Sequence, residues 1–220
     1  MAGKTKTKSK DSTADKRRSK AAIREENEAL ILRAAEEIFA EKGFGGATTA
    51  QIAEYANVPK ANLHYYFPKK ADLYRRVIED ICNAWLDARN AFDIHDDPAA
   101  AIGGYIRVKM ELSRSRPHGS KIWASEVISG AGEVQEYIQT AVKEWLQDME
   151  RQFKIWQDEG RIAQVTPRTF LFMVWATTQH YADFESQINL LNGGEPLDSE
   201  EYKKTTEEVV GLMLRSLNIK

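Results

Sequence analysis

Between Pro59 and Pro68 lies the segment Lys-Ala-Asn-Leu-His-Tyr-Tyr-Phe, whose polar members are suited to hydrogen-bonded recognition. An amide such as Asn62 pairs bidentately with adenine, an ammonium such as Lys60 approaches the acceptor edge of guanine, and the methyl of Ala61 fits a thymine methyl. His64 falls among them. Thr48, Thr49, Tyr65 and Lys70 flank the segment, and hydroxyls and a lysine at helix N-termini suit phosphate, a contact that fixes register without reading sequence. The alternative for Tyr65 is packing, and for Lys70 a solvated surface position.

A second set lies far downstream. Trp175 and Gln179 stand at i and i+4 on one helical face, with Thr178 alongside. A flat heterocycle stacks on an indole while an amide pairs with its alternating N–H and C=O groups. Trp85 and Trp123 supply further walls for a mostly apolar pocket. On spacing alone, the same tryptophans also fit the ordinary core of an aromatic-rich bundle. His180 and Asp183 are the right types for a metal, but no third ligand stands at a sensible spacing, so a hydrogen-bonded structural pair is expected and no metal. Catalysis is not expected either: there is no Walker loop, nucleophile elbow or His-Glu-x-x-His pattern, and Gly130-Ala131-Gly132 lacks a preceding strand.

The elements that hold these residues read with helical period almost throughout. Ile23, Leu30, Ile31, Ala34, Ala35, Ile38 and Phe39 predict a first amphipathic helix, stopped at Gly43. Thr48 and Gln51 have capping-box spacing and start a short helix through Ala56. Asn57 tolerates a positive φ, Pro59 pre-sets the start of another short helix, Lys60 to Tyr66, and Pro68 ends it. Two short helices joined by a tight turn make a helix-turn-helix, its core closed by Ile52, Ala53, Ala56, Val58, Leu63 and Tyr66 or Phe67. A long helix follows from about Lys69 to Phe92, carrying Leu73, Val77, Ile81, Trp85 and Ala88 or Phe92 on one stripe. Further helices are predicted over Pro98 to Arg116, Gly119 to Ser129, Glu133 to Glu159, Pro167 to Leu191 and Ser199 to Leu217. Breaks at Pro117, Gly130/Gly132, Gly160 and Gly193/Gly194 separate them.

Charge is unevenly spread. Residues 1–24 hold nine Lys and Arg against Asp11 and Asp15, a balance of +7, so the rest of the chain carries −9 of a net −2. A cationic arm on an acidic body suits an anionic polymer or surface, and equally a solubilising tail. The stretch from Met1 to about Lys20 has almost nothing to bury and is expected to be disordered in isolation. It lacks the apolar centre of a signal peptide, and the most apolar run, Phe170 to Ala176, is too short to span a bilayer; a cytoplasmic protein without a membrane segment is expected. The single cysteine, Cys82, makes no internal disulfide and reads as a small buried apolar residue.

Gly43-Phe-Gly-Gly-Ala-Thr-Thr-Ala-Gln-Ile-Ala-Glu54 and Val58-Pro-Lys-Ala-Asn-Leu-His-Tyr-Tyr-Phe-Pro-Lys-Lys-Ala-Asp-Leu-Tyr74 together resemble the TetR family of regulators. The Tyr-Tyr-Phe, the Lys two residues after the following Pro and the Leu-Tyr stand at family spacing. Pro59 replaces a small hydroxyl residue usual before the reading helix, and Asn57 replaces the turn glycine, which weakens the carry-over of a base contact at Lys60. The segments Tyr105–Pro117 and Trp175–Ile188 are similar to the pyrimidine-utilisation branch of that family. The resemblance implies an effector such as uracil, with Trp85, Trp175 and Gln179 among its contacts.

The expectation is an all-α chain: a basic arm at 1–20, a three-helix helix-turn-helix DNA-binding domain at 21–68, and a helical ligand-binding and dimerisation domain at 69–220. Apolar residues on more than one face of the helix from Pro167 and of the last helix, with Val209, Val210, Met213, Leu214 and Leu217, predict a homodimer closed by a four-helix bundle. Its partners are then a palindromic double-stranded operator and a small-molecule effector. A helical carrier or scaffold with shallow, non-specific DNA affinity is the competing expectation.

Overall fold

The structure, a computed structural model, describes residues 11–93 and 96–219. Every regular element among them is helical, and the chain divides into two compact units, one ending at Val77 and the other beginning at Ile78.

In the first unit, α1 (Asp11–Gly46) is one helical run interrupted at Gly43, whose φ of +67° suits a residue without Cβ. The basic arm expected at 1–20 lies outside the described residues as far as position 10. From Asp11 the backbone is already helical, where the sequence predicts a start near Ile23. No Gly or Pro intervenes before Gly43, and Ala, Lys and Arg dominate this stretch, all favourable to helix. Ile31, Ala34, Ala35, Ile38 and Phe39 are buried, whereas Ile23 is 57% exposed and Leu30 also faces out. The reason is reach: α1 packs on α2 (Thr49–Tyr55), which packs on α3 (Lys60–Tyr66), and two helices of seven residues cover only the later turns of a run of 36.

Local chemistry sets the α2–α3 corner. Thr48 caps α2, its hydroxyl accepting from the Gln51 N–H at 3.2 Å while Gln51 Oε1 accepts from the Thr48 N–H at 3.1 Å. Asn57 takes a φ of +53° in the turn, and the Val58 N–H closes it on the Ala53 carbonyl. Ile52, Ala53, Leu63 and Phe67 are buried; Ala56, Val58 and Tyr66 are half-buried. The first turns of α4 (Lys70–Asp87) complete this core with Leu73, Tyr74 and Val77, the Tyr74 ring meeting Phe39 edge-on at 4.8 Å.

In the second unit, α4 ends at Asp87, short of the predicted Phe92. The Arg89 N–H closes on the Leu86 carbonyl and a single turn, α5 (Asn90–Asp93), follows. The break carries both Ala88 and Phe92 inside, Phe92 lying 4.9 Å from the Tyr105 ring. The central helix is α6 (Pro98–Ser115), capped by Asp97, with α7 (Pro117–Ile128) after it. The single helix predicted for Glu133–Glu159 is a run of α8 (Gln135–Tyr137), a π-turn (Ile138–Val142) and α9 (Lys143–Asp158). Along this run Val134, Trp145, Met149, Phe153 and Trp156 are buried, while Ile138 and Ala141 are half-buried; both lie in the π-turn, where an extra residue per turn shifts the phase. The helix predicted from Pro167 to Leu191 is α10 (Pro167–Asp183) and α11 (Glu185–Leu191), parted at Phe184, whose ψ of +25° leaves the helical well.

The last helix, α12 (Ser199–Ser216), starts on a capping box of Asp198 and Glu201 and packs on α6. Arg107 and Glu207 join the two through paired bonds of 2.7 Å. Cys82 is buried, and burial pushes its thiol up to about 12, so it behaves as an apolar residue.

Candidate nucleic-acid interface and ligand cavity

All eight residues singled out for DNA lie in the first unit. Leu63 faces the core, so Lys60, Ala61, Asn62, His64 and Tyr65 are left on the outside of α3, and Tyr65 is 70% exposed. Pro59 gives α3 no side-chain cap; its carbonyl takes the Asn62 N–H at 2.8 Å, which leaves the N–H groups of Lys60 and Ala61 at the helix start. Tyr65 packs edge-on against Tyr66 at 5.4 Å, with the Arg24 guanidinium about 6 Å from each ring. Thr48 is exposed and Thr49 half-buried, at the start of α2. The Thr48 hydroxyl is engaged with Gln51 on both its donor and acceptor sides.

Lys70 stands apart from this polar face. Its ammonium donates to the carbonyls of Phe44 at 2.6 Å and Ala47 at 2.9 Å, beyond the α1 break, and lies 4.5 Å from the Phe44 ring. Two of its three protons are therefore committed to carbonyls that the end of α1 leaves open, and one is free for phosphate.

In the second unit a cavity of about 70 Å³ lies among α4, α6, α7, α9 and α10. It collects four of the five residues singled out for a ligand: Trp85, Trp123, Trp175 and Gln179. They form two stacked indole pairs with further help, Trp85 on Trp123 at 5.5 Å and Trp175 on Trp145 at 5.9 Å. Thr178 is not among the lining residues. It is fully buried, its hydroxyl donates to the Val174 carbonyl at 2.9 Å, and its carbonyl accepts from Ser113. A helical residue beside Gln179 points a full 100° away from it, which takes Thr178 into the α6–α10 contact.

Sequence reasoning missed the polar part of the wall. Lys109, on α6, is only 2% exposed, lines the cavity, and holds its ammonium 3.2 Å from the centre of the Trp85 ring. It has neither a hydrogen-bond nor an ion-pair partner among the described residues. Burial pulls it down to about 7, and the charge of Asp183 only partly opposes that. Asp183 itself accepts from the Ser120 hydroxyl at 2.6 Å, and burial raises its pKa. The Trp145 indole N–H is buried without an acceptor, and the Tyr105 hydroxyl accepts from Trp175 at 2.8 Å. The signal for Lys109 was its place: one turn from Tyr105 and one from Ser113, both on the buried stripe of α6. His180 stacks on Phe184 at 4.8 Å, and the described residues hold no cluster suited to a metal. No described helix is long and apolar enough to cross a membrane.

Two families match consecutive parts of the chain. Residues 31–77 match "Bacterial regulatory proteins, tetR family", and residues 78–220 match "YcdC-like protein, C-terminal region". The HTH-type transcriptional regulator RutR of Escherichia coli (strain K12) is 36% identical over 187 residues, covering 85% of this chain and 88% of RutR. The fatty acid degradation regulator FadR from Bacillus halodurans superposes with a TM-score of 0.65 at 16% identity, over 88% of this chain and 97% of that one. A TetR family transcription regulator from Marinobacter aquaeolei VT8 gives 0.63 at 17% identity, over 87% and 95%. At those identities the two solved structures speak for the fold alone.

Proposed function

The chain belongs to the TetR family of bacterial DNA-binding transcriptional regulators, and from that premise we propose a cytoplasmic, homodimeric repressor of nucleobase catabolism that releases or engages a palindromic operator in response to a pyrimidine-type effector. The observation that carries this reading is the pairing, in one chain, of an exposed polar α3 with an indole-walled cavity. In this reading Lys60, Asn62 and His64 read base edges, Ala61 meets a thymine methyl, and Thr48, Thr49, Tyr65 and Lys70 position the phosphates. Two copies of α3 fill successive major grooves about 34 Å apart. Trp85, Trp123 and Trp175 enclose the effector and Gln179 orients it. Thr178 acts from behind, holding α10 against α6.

The size of the cavity favours a small ring over an extended chain. At about 70 Å³ the enclosed space is nearer the scale of a single ring than of an extended chain. Because α4 carries Leu73, Tyr74 and Val77 in one unit and Trp85 in the other, an effector with different affinities for two positions of α4 changes operator affinity by that difference.

Fluorescence anisotropy with a palindromic duplex from the promoter region tests the reading. Wild type is expected to prefer it over random competitor and to respond to uracil. Gln179→Ala should keep the operator affinity and lose the response. Equal affinity for operator and competitor at moderate ionic strength would overturn the proposal.

A further inference from the structure

The polar atoms facing the cavity are unbalanced. Three buried residues of its lining carry a donor without an acceptor among the described residues: the Lys109 ammonium, the Trp145 indole N–H and the Tyr105 O–H, whose oxygen is occupied by Trp175. Against them stands one side-chain carbonyl, that of Gln179. The Trp145 N–H is fully buried, and a buried donor without a partner costs about 1–3 kcal/mol, so a guest that brings acceptors to these donors is favoured. A neutral pyrimidinedione brings as many donors as acceptors and leaves the imbalance in place.

We propose that the cavity selects a flat, single-ring monoanion, a heterocyclic or aromatic carboxylate, whose oxygens pair with the Lys109 ammonium and accept from the Trp145 N–H and the Tyr105 hydroxyl while the ring lies among the indoles. The inference rests on reading the cavity as the effector site and adds a charge preference to it: an anionic ring is held more tightly than a neutral one such as uracil. Lys109 and Tyr105 stand one turn apart on α6, the Tyr105 and Trp145 rings are 5.4 Å apart, and all three residues line the cavity. A single buried cation matches one negative charge; Arg89, the other cationic lining residue, is exposed. A phosphate dianion would leave a charge unpaired in an apolar wall.

Around Lys109 the titratable groups are Asp183 on α10, Tyr105 on its own helix, Tyr137 on α8 and Arg89 beyond the end of α4. Without ligand, burial holds Lys109 at about 7 despite Asp183. A carboxylate requires it protonated, so apparent affinity scales with the protonated fraction and falls as pH rises.

Four of the five tryptophans line the cavity, and quenching of their fluorescence reports occupancy. Three matched pairs serve as probes: uracil and uracil-6-carboxylate, benzamide and benzoate, nicotinamide and nicotinate. The carboxylate of at least one pair should bind about tenfold or more tighter than its neutral partner, the scale of one charge-assisted pair. Its affinity should drop about tenfold between pH 6 and pH 8. Lys109→Met should remove both the preference and the pH dependence; the wild-type pH profile stands without any variant. Neutral probes that bind as well as or better than carboxylates, or a preference that survives Lys109→Met, would overturn the inference and leave the effector cavity standing. No quenching by any of the six would remove the effector cavity and the inference with it.

Discussion

At the scale of single residues, position decided more than type. Lys60, Asn62 and His64 were legible because a seven-residue helix with Leu63 buried has few ways to face, and the polar residues are what is left outside. Lys109 was not, because a lysine in a helix reads as solvated until its neighbours on all sides are known, and those neighbours come from α4, α9 and α10. The consequence is measurable as stability. Lys109 is pulled down to about 7 by burial, from an unfolded value near 10.4. Below about pH 7 it is protonated in both states and the folding penalty is complete. Between 7 and the unfolded value the unfolded chain binds the extra proton, so the penalty shrinks as pH rises. Lys109→Met, which fills the same space without the charge, should therefore be more stable than wild type at pH 7. That advantage should narrow by on the order of 1 kcal/mol per pH unit towards pH 9, read from urea unfolding of the two proteins. A constant difference across that range would mean that Lys109 does not titrate there.

Elements defined by local chemistry were legible in advance, and those defined by packing were not. The Thr48–Gln51 box and the positive φ at Asn57 follow from neighbours within four residues and are present; at Gly43 the helix breaks but runs on to Gly46. The breaks after Asp87 and at Phe184 and the π-turn at Ile138–Val142 carry no Gly or Pro; they place Phe92 against Tyr105 and set the phase between Tyr137 and Trp145, contacts between distant segments. The cap is the element to test. Thr48→Val keeps the volume and loses both the hydroxyl acceptor for the Gln51 N–H and the reciprocal order of the Gln51 side chain. A loss of about 1 kcal/mol is expected, confined to the first unit. Amide exchange should speed up across α2 and stay unchanged across α6 and α10; unchanged exchange in α2 would show that tertiary packing alone holds it.

For the whole molecule, the first unit holds the candidate interface and the second the cavity, and neither specifies an operator by itself. Periodicity made the helical class readable. It left open which apolar residues serve the core and which a partner, since both produce the same spacing. The structure separates buried from exposed: Val174 and Met213 are inside, whereas Phe172 and Met173 on α10 and Leu212 on α12 are exposed. Three large apolar side chains in water on the two helices predicted to pair are what a two-fold copy would cover. Charging that surface tests the assembly without touching either site. Met173→Glu with Leu212→Glu should leave helicity and probe quenching as in wild type, because both positions are exposed and neither lines the cavity. Sedimentation should show the mass of one chain instead of two. Operator affinity should then fall by about a hundredfold or more, because the second α3 no longer arrives tethered to the first. A doubly charged variant that still sediments as a dimer would place the partner surface elsewhere. The next candidates are Leu190 and Leu191 of α11, which are more exposed still.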